Sequence, residues 1–421
     1  MAEHTSTTMD GLRKEVYGDK LEDAVPSETS VCKSIKFVAR NQLLGNNYNV
    51  PVRLTRSHGW TVNTGGTAYA LNAAEPCVTQ NAQVQGISFT VRESIANDML
   101  AWLGKGSRGD QKRSFVSATS YIHESMSEIA MFIREIAVLY GSANIGITSG
   151  QQADNGTSQT FTFTAATFIP ALWSGLENGY VDCWDTTEAT QRNPTGTMKV
   201  TAVDIENRRV TFLGTEAEMD AIVDTDRFFL RGFLGLSLVG LYDLFTNSTT
   251  LFGVNGATYS LFKGNTHAAG SAQLTFATIL QAMNRIANRG FRGKLDCYIS
   301  SASWNDANNS LAALRRYGEK AGGKVEQGAT GIEYHTHSGT VVLHHHLLMQ
   351  PSMAALIPSD KCKRVGSTDV TFKLPGLAKD AFFAPLADNA GVQMRAMFNQ
   401  AVFSAYPAHG CWITGLVNSD Q

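Results

Sequence analysis

The chain has 421 residues, 43% of them hydrophobic and 17% charged, and its 35 Lys and Arg against 37 Asp and Glu leave a net charge of -2. That length suits two or three domains at about 150 residues each and excludes a mini-protein. The near-neutral balance argues against sequence-directed nucleic-acid binding, which needs a basic excess to neutralise phosphates. Charge lies below the roughly 25% of ordinary soluble domains, so polar surface must come largely from Ser, Thr, Asn, Gln and Gly, which suits close contact with other protein.

Met1–Glu15 has no apolar export core, and no stretch reaches about 18 consecutive apolar residues, so neither a signal peptide nor a membrane span is expected. The uncharged run Thr160–Leu176 is Thr-rich and contains Pro170, which reads as strands and a turn. Cys32, Cys77, Cys183, Cys297, Cys362 and Cys411 are far apart and form no C-x-x-C pair. Zinc-ribbon and thioredoxin readings therefore have no basis, and reduced thiols are the default.

Residues 1–47 are polar and poorly periodic, with Pro26 and the cluster Gly45, Asn46, Asn47, and read as an extended arm that needs something to lie against. From Tyr48 to Arg92, short alternating pieces (Val50, Val52, Leu54, then Ile87, Phe89, Val91) are separated by Gly65, Gly66 and Pro76. This predicts a long hairpin, polar on both faces, that projects from the body. A helix is predicted at Arg92–Leu103 and a second from about Ser117 to Tyr140, with Ile122, Met126, Ile129, Ile133, Ile136 and Tyr140 three or four residues apart. At 1.5 Å per residue the second would be about 36 Å long, a structural spine.

Strands are predicted at Thr160–Phe163, Tyr180–Trp184, Met198–Ile205, Arg209–Leu213 and Arg227–Leu230, which together suggest an inserted β-rich domain. Helix Phe276–Arg289 stops at Gly290, strand Leu295–Ile299 follows, and helix Ala302–Tyr317 stops at Gly318. The rest is strand-rich: Ile332–His337, Val341–Met349, Asp369–Phe372, Val392–Phe403 and Cys411–Val417. No fixed-period repeat or low-complexity tract interrupts it.

The chemical motifs are weak. Gly104-x-Gly106-x-x-Gly109 has the letters of a dinucleotide fingerprint but follows a helix and opens no βαβ unit, so it reads as a loop. Arg108-Gly109-Asp110, an adhesion tripeptide, is short enough to arise by chance. Gly318–Lys324 fits G-x-x-x-x-G-K, but Val325 stands where a hydroxyl should meet Mg²⁺. His335, His337, His344, His345 and His346 lie in a predicted hairpin turning at Ser338 and Gly339, with alternation placing His344 and His346 on one face. Such a set could hold Zn²⁺ or Cu²⁺, but Glu333 is the single nearby acid in sequence, so strand or subunit-contact histidines are the favoured reading. No G-x-S-x-G elbow and no selectable carboxylate pair point to catalysis.

The order of arm, projecting loop, spine helix, α/β middle and strand-rich finish resembles the major capsid protein of tailed bacteriophages, with the Hong Kong phage-type capsid fold. The phrasing agrees at Leu251-Phe-Gly-Val-Asn-Gly-Ala-Thr-Tyr259, Asn288-Arg-Gly-Phe-Arg-Gly293, Gly366-Ser-Thr-Asp-Val-Thr-Phe372 and Ala390-Gly-Val-Gln-Met-Arg395, then through Phe403, Pro407 and Ile413-Thr-Gly-Leu-Val-Asn418. The similarity spans roughly residues 30–418.

This resemblance implies an α+β fold: an N-terminal arm at 1–47, an extended loop at 48–91, and a peripheral domain with the spine helix at 92–150 that continues at 251–331. It implies also a β-rich insertion at 151–250, an axial domain at 332–391, and C-terminal strands at 392–421 returning to the peripheral domain. It departs from the family's pattern at Gln393, where relatives often carry an acid, so an ion pair at Arg395 is not expected. The implied function is a non-enzymatic capsid protein, without cofactor, that assembles as hexamers and pentamers into the icosahedral head of a double-stranded DNA phage. It would be made in the bacterial cytoplasm and reside in the virion. Implied partners are other copies of itself, a portal protein at one vertex, scaffolding or decoration proteins, and packaged DNA held non-specifically; no membrane is involved. Rival readings are an encapsulin-like nanocompartment shell and a metal-dependent enzyme built on His335 to His346.

Cys32 and Cys77 fall in the two segments expected to touch neighbours and are candidates for inter-subunit disulfides. Strand and loop text begins by Tyr48, so the chain is expected to enter a shell without losing a large N-terminal scaffolding domain, its arm ordered by neighbouring subunits.

Overall fold

The computed structural model describes residues 28–39, 47–66, 68–96, 109–151, 156–236, 238–312, 332–373, 383–386 and 390–419. Its organising element is the helix Gly109–Tyr140, 32 residues long, which begins eight residues before the sequence-predicted Ser117. At 1.5 Å per residue it is about 48 Å long. Its C-terminal half is anchored in the core, because Met126, Ala130, Phe132, Ile136, Ala137, Leu139 and Tyr140 are all buried.

Beside this spine lies a five-stranded sheet centred on Gly391–Ser404. One side of that 14-residue strand pairs with Cys362–Thr371 and Phe383–Pro385, the other with Ile87–Ala96. The helix predicted at Arg92–Leu103 is therefore corrected over Arg92–Ala96, which are strand in register with Arg395–Gly391; residues 97–103 lie outside the described residues. Ile95, Met99, Leu100 and Leu103 carry helical spacing in the sequence. Ten consecutive cross-strand pairs, with the Phe89 and Phe398 rings stacked 4.8 Å apart, override that local signal. Met394 and Ala396 then pack on Met126 and Ala130 of the spine.

A second sheet of six strands has the order Thr266–Ala268, Cys411–Thr414, Ala354–Ile357, Gly293–Ile299, Gly339–His345, Ile332–Thr336. Helices Phe276–Ala287 and Ser301–Ala312 adjoin it, and Ile279, Met283 and Ile286 share a core with Leu295, Val341, Leu343 and Ile413. Gly293–Ile299 runs parallel to Gly339–His345 over seven pairs. The expected division between domains at 331 and 332 would cut through this sheet.

The β-rich segment expected at 151–250 is an antiparallel six-stranded sheet whose strands lie between Gly146 and Leu230. Its ends meet: Val181 N–H donates to Met198 O and Val200 N–H to Gly179 O, at 3.2 and 3.0 Å, closing the sheet into a small barrel. Closure removes the open edges that invite aggregation. Phe161, Phe163, Trp173, Phe212 and Phe228 fill the interior, and their cluster continues into Phe132 and Ile136 of the spine.

Residues 28–39, assigned from sequence to the arm, belong to this chain's own core. Ser30–Ser34 is a short helix with Val31 and Cys32 buried, and Phe37–Ala39 adds a parallel strand to Arg364–Gly366. Their ordering needs no neighbouring subunit. The polar text hid this because the partners of its backbone groups are charged side chains far along the chain.

Candidate assembly surface

The projecting segment is a hairpin of Asn47–Arg53 against Thr79–Gln85, in register from Asn47 opposite Gln85 to Arg53 opposite Thr79. Its base is not polar on both faces, as the sequence suggested: Val52, Ala82 and Val84 are buried against Phe262, Val365, Ala401 and Phe403. Beyond that anchor the two arms stay together through His58 bridging Glu75, and through Asn72 N–H donating to Thr61 Oγ1 at 2.9 Å. Gly65 and Gly66 turn the chain with φ of 89° and 91°, a region that glycine enters without steric cost. From Arg56 to Cys77 every described residue except Thr61 is exposed.

That tip carries Trp60 at 72% exposure, Val62 at 78%, Tyr69 at 54% and Leu71 at 78%. Scattered exposed apolar residues are ordinary, but four large ones on one projection make it the candidate surface for contact with other protein. Cys77 closes the same exposed stretch of the projection.

Cys32 is corrected as a disulfide candidate. It is 2% exposed, its Sγ is 3.9 Å from Arg134 O, and burial followed by the negative charge of Glu135 pushes its thiol well up. A thiol held protonated inside the chain cannot reach a neighbour.

The histidines separate. His344 Nε2 is 3.2 Å from Asp296 Oδ1, His345 Nε2 is 2.7 Å from Ser301 Oγ, and His346 Nε2 is 3.1 Å from Glu135 Oε1. His335 and His337 are exposed. Alternation did place His344 and His346 beside one ring, that of Tyr298. Sequence reading found Glu333 as the local acid; the fold instead supplies Asp296 and Glu135, which no spacing could reveal. The Asp296 carboxyl is raised by burial, but hydrogen bonds from His344 and Ser359 outweigh this and hold it below the usual value.

Glu28, Glu135 and His346 bring one possible ligand atom each within 4.8 Å of one another. The donor set nevertheless does not fit a metal. His346 Nδ1 accepts the Leu348 N–H at 3.2 Å, so the ring proton sits on Nε2 and points at Glu135. Both Glu135 oxygens are also engaged, by Val31 N–H at 2.7 Å and Cys32 N–H at 3.0 Å. The cluster is a hydrogen-bond network between three parts of the chain.

With the Gln393 amide oriented so that its oxygen faces the Arg395 guanidinium, that oxygen accepts from Arg395 Nε at 3.2 Å. Gly104, Gly106, Arg108 and Gly318–Lys324 lie outside the described residues, and Gly109 with Asp110 begins the spine helix.

No family model and no curated protein matches the chain. Among solved structures it is similar to a chain of the cyanophage A-1(L) capsid asymmetric unit, with a TM-score of 0.54 and 11% identity over 98% of this chain and 99% of that one. A Mycobacterium phage Adephagia structure aligns at 0.49 and 11%, covering 99% of each chain. The capsid of the native GTA particle aligns at 0.47 and 10%, covering 99% of this chain and 100% of that one. The alignment with the cyanophage chain over nearly the whole of both chains gives this protein the α+β phage capsid fold.

Proposed function

We propose that the chain is a major capsid protein that assembles with copies of itself into the head shell of a tailed DNA phage. The observation that carries this reading is the end-to-end alignment with a chain of the cyanophage A-1(L) capsid asymmetric unit, with 98% and 99% of the two chains covered. The exposed tip from Arg56 to Cys77 supports it, because an ordered projection with exposed Trp60 and Leu71 gains by being covered. In a closed shell each subunit is held by several neighbours at once, so individually weak contacts add to firm assembly.

In this reading the shell is built of hexamers and pentamers, the projecting hairpin lies over an adjacent subunit, and the role is structural and non-enzymatic. The near-neutral chain makes a container that does not grip DNA by charge. A portal at one vertex and a separate scaffolding or decoration protein complete the assembly, and the protein resides in the virion. Negative-stain microscopy of the purified protein tests the reading. Uniform polyhedral particles are expected, and DNA as the content of particles from infected cells; a dispersed monomer under all assembly conditions would overturn it.

A further inference from the structure

We propose that the buried Glu135–His346 pair is a proton-operated latch that clips residues 28–39 onto the spine helix. The clip is a short helix, Ser30–Ser34, held at both ends by charge. At its start the Val31 and Cys32 N–H groups, which have no partner inside the helix, donate to the two oxygens of Glu135 at 2.7 and 3.0 Å. At its end Arg364 Nε donates to Ile35 O at 3.1 Å. An acid at the first N–H groups and a guanidinium at the last carbonyl each match the helix dipole. Five residues are too few to hold a helix alone, so the clip depends on these contacts.

Glu135 is fully buried, as is His346, which donates from Nε2 and accepts at Nδ1. The carboxylate thus meets three donors and needs its charge to accept from all of them. A proton on it would set an O–H against one of those donors and free an end of the clip. The groups facing the pair are Glu28 and Cys32 on the clip, Arg134 beside it on the spine, His345 next to His346, Tyr298 of the neighbouring strand, and Arg364 at the far end. Burial raises the Glu135 carboxyl, but the hydrogen bond from the His346 ring, then those from Cys32, hold it below its usual value of 4.5. A depressed carboxyl gives its stabilisation fully above the unfolded value and loses it as pH falls through the folded one. The latch therefore holds at neutral pH and opens in acid, below the ordinary carboxylate range.

Cys32 is a built-in reporter, since opening exposes a thiol that is otherwise 2% accessible. In a Cys77→Ser chain, labelling by 4,4′-dithiodipyridine, which works in acid, is followed against pH together with tryptophan emission as the monitor of global unfolding. Labelling is expected to rise about tenfold or more, the effect of losing one charge-assisted hydrogen bond, at a pH where the emission is still native. His346→Leu removes the Nε2–H donor that Glu135 accepts from, so it should move the labelling midpoint to higher pH. Glu135→Gln places an amide donor against a backbone N–H and should leave Cys32 labelled at neutral pH. Protection that persists until global unfolding, or a midpoint that His346→Leu leaves in place or lowers, would overturn the proposal. If Glu135→Gln does not fold, the His346→Leu shift decides alone.

Discussion

The Tyr140 hydroxyl, on the last residue of the spine helix, donates to Leu348 O at 2.6 Å and accepts the Gln350 N–H at 2.8 Å. One buried oxygen thereby satisfies two backbone groups of the turn between strands Gly339–His345 and Ala354–Ile357 of the second sheet, and Gln350 Nε2 extends the tie to Asn144 O at 2.8 Å. Tyr140→Phe keeps the ring and orphans both backbone groups. A loss of about 1–3 kcal/mol is expected in urea unfolding of the unassembled chain. Tyr298→Phe, which loses only a partly buried bond to Ser34 Oγ at 2.9 Å, should cost less.

The spine was legible because its apolar residues repeat at helical spacing and packing reinforces the pattern at Met126, Ile136 and Tyr140. Arg92–Ala96 was not, since the pairing that decides it lies some 300 residues away in Arg395–Gly391. The clip at 28–39 failed for a related reason. Its Val31, Cys32 and Ile35 are too few to read as a core segment, and Glu135 and Arg364, which satisfy its backbone, are 104 and 329 residues distant from their partners. Of the candidate surface, the projection was legible from its alternation and glycines. Which cysteine it exposes was not, because burial of Cys32 follows from tertiary contact.

One thiol should react fast with a maleimide in the native chain, and it should be Cys77, since Cys32, Cys183, Cys297, Cys362 and Cys411 are all buried. Peptide mass mapping after a brief pulse checks this. We propose further that oxidised particles contain Cys77–Cys77 cross-links. A dimer band on a non-reducing gel that Cys77→Ser removes is the expected result, and a purely monomeric band would exclude them.

Gly339 stands opposite Gly293 where two strands run parallel. A Cβ on Gly339 would lie 1.8 Å from Gly293 O, and φ there is 153°. Backbone must move to admit it, so Gly339→Ala should cost about 1–3 kcal/mol or more, as overpacking does in a close-packed interior. Ser338→Ala, one residue away, serves as the control with a smaller loss in thermal melts.

Asp369 Oδ1 accepts from Arg134 at 2.8 Å and from Arg364 at 3.3 Å, and both guanidinium side chains are nearly buried, at 12% and 7% exposure. Burial raises the Asp369 carboxyl, but Arg364 and then Arg134 outweigh this and hold it below its usual value. The stabilisation is present above the unfolded value and lost as pH falls through the folded one. Asp369→Asn should therefore destabilise at neutral pH, by about 1–2 kcal/mol once solvent screening of this part-exposed carboxylate is allowed for, with the difference shrinking in strong acid. Denaturant midpoints at neutral and acid pH measure both.

The tip of the hairpin separates folding from assembly. Trp60 and Leu71 are 72% and 78% exposed, whereas Val52, Ala82 and Val84 at the base are buried in the chain's own core. Replacing an exposed apolar side chain removes nothing the isolated chain uses, so Trp60→Ser with Leu71→Ser should leave the melting temperature of the unassembled protein within a degree or two, the usual scale for surface changes. In a shell the same side chains would be covered by a neighbour. Each would then forfeit about 1.5–3 kcal/mol of burial per subunit, repeated at every copy. Light scattering of assembly reactions should show a much higher critical concentration for the double variant, and Val84→Ser should lower folding stability instead. If the tip variant assembles like the parent while melting unchanged, the hairpin is not the assembly surface.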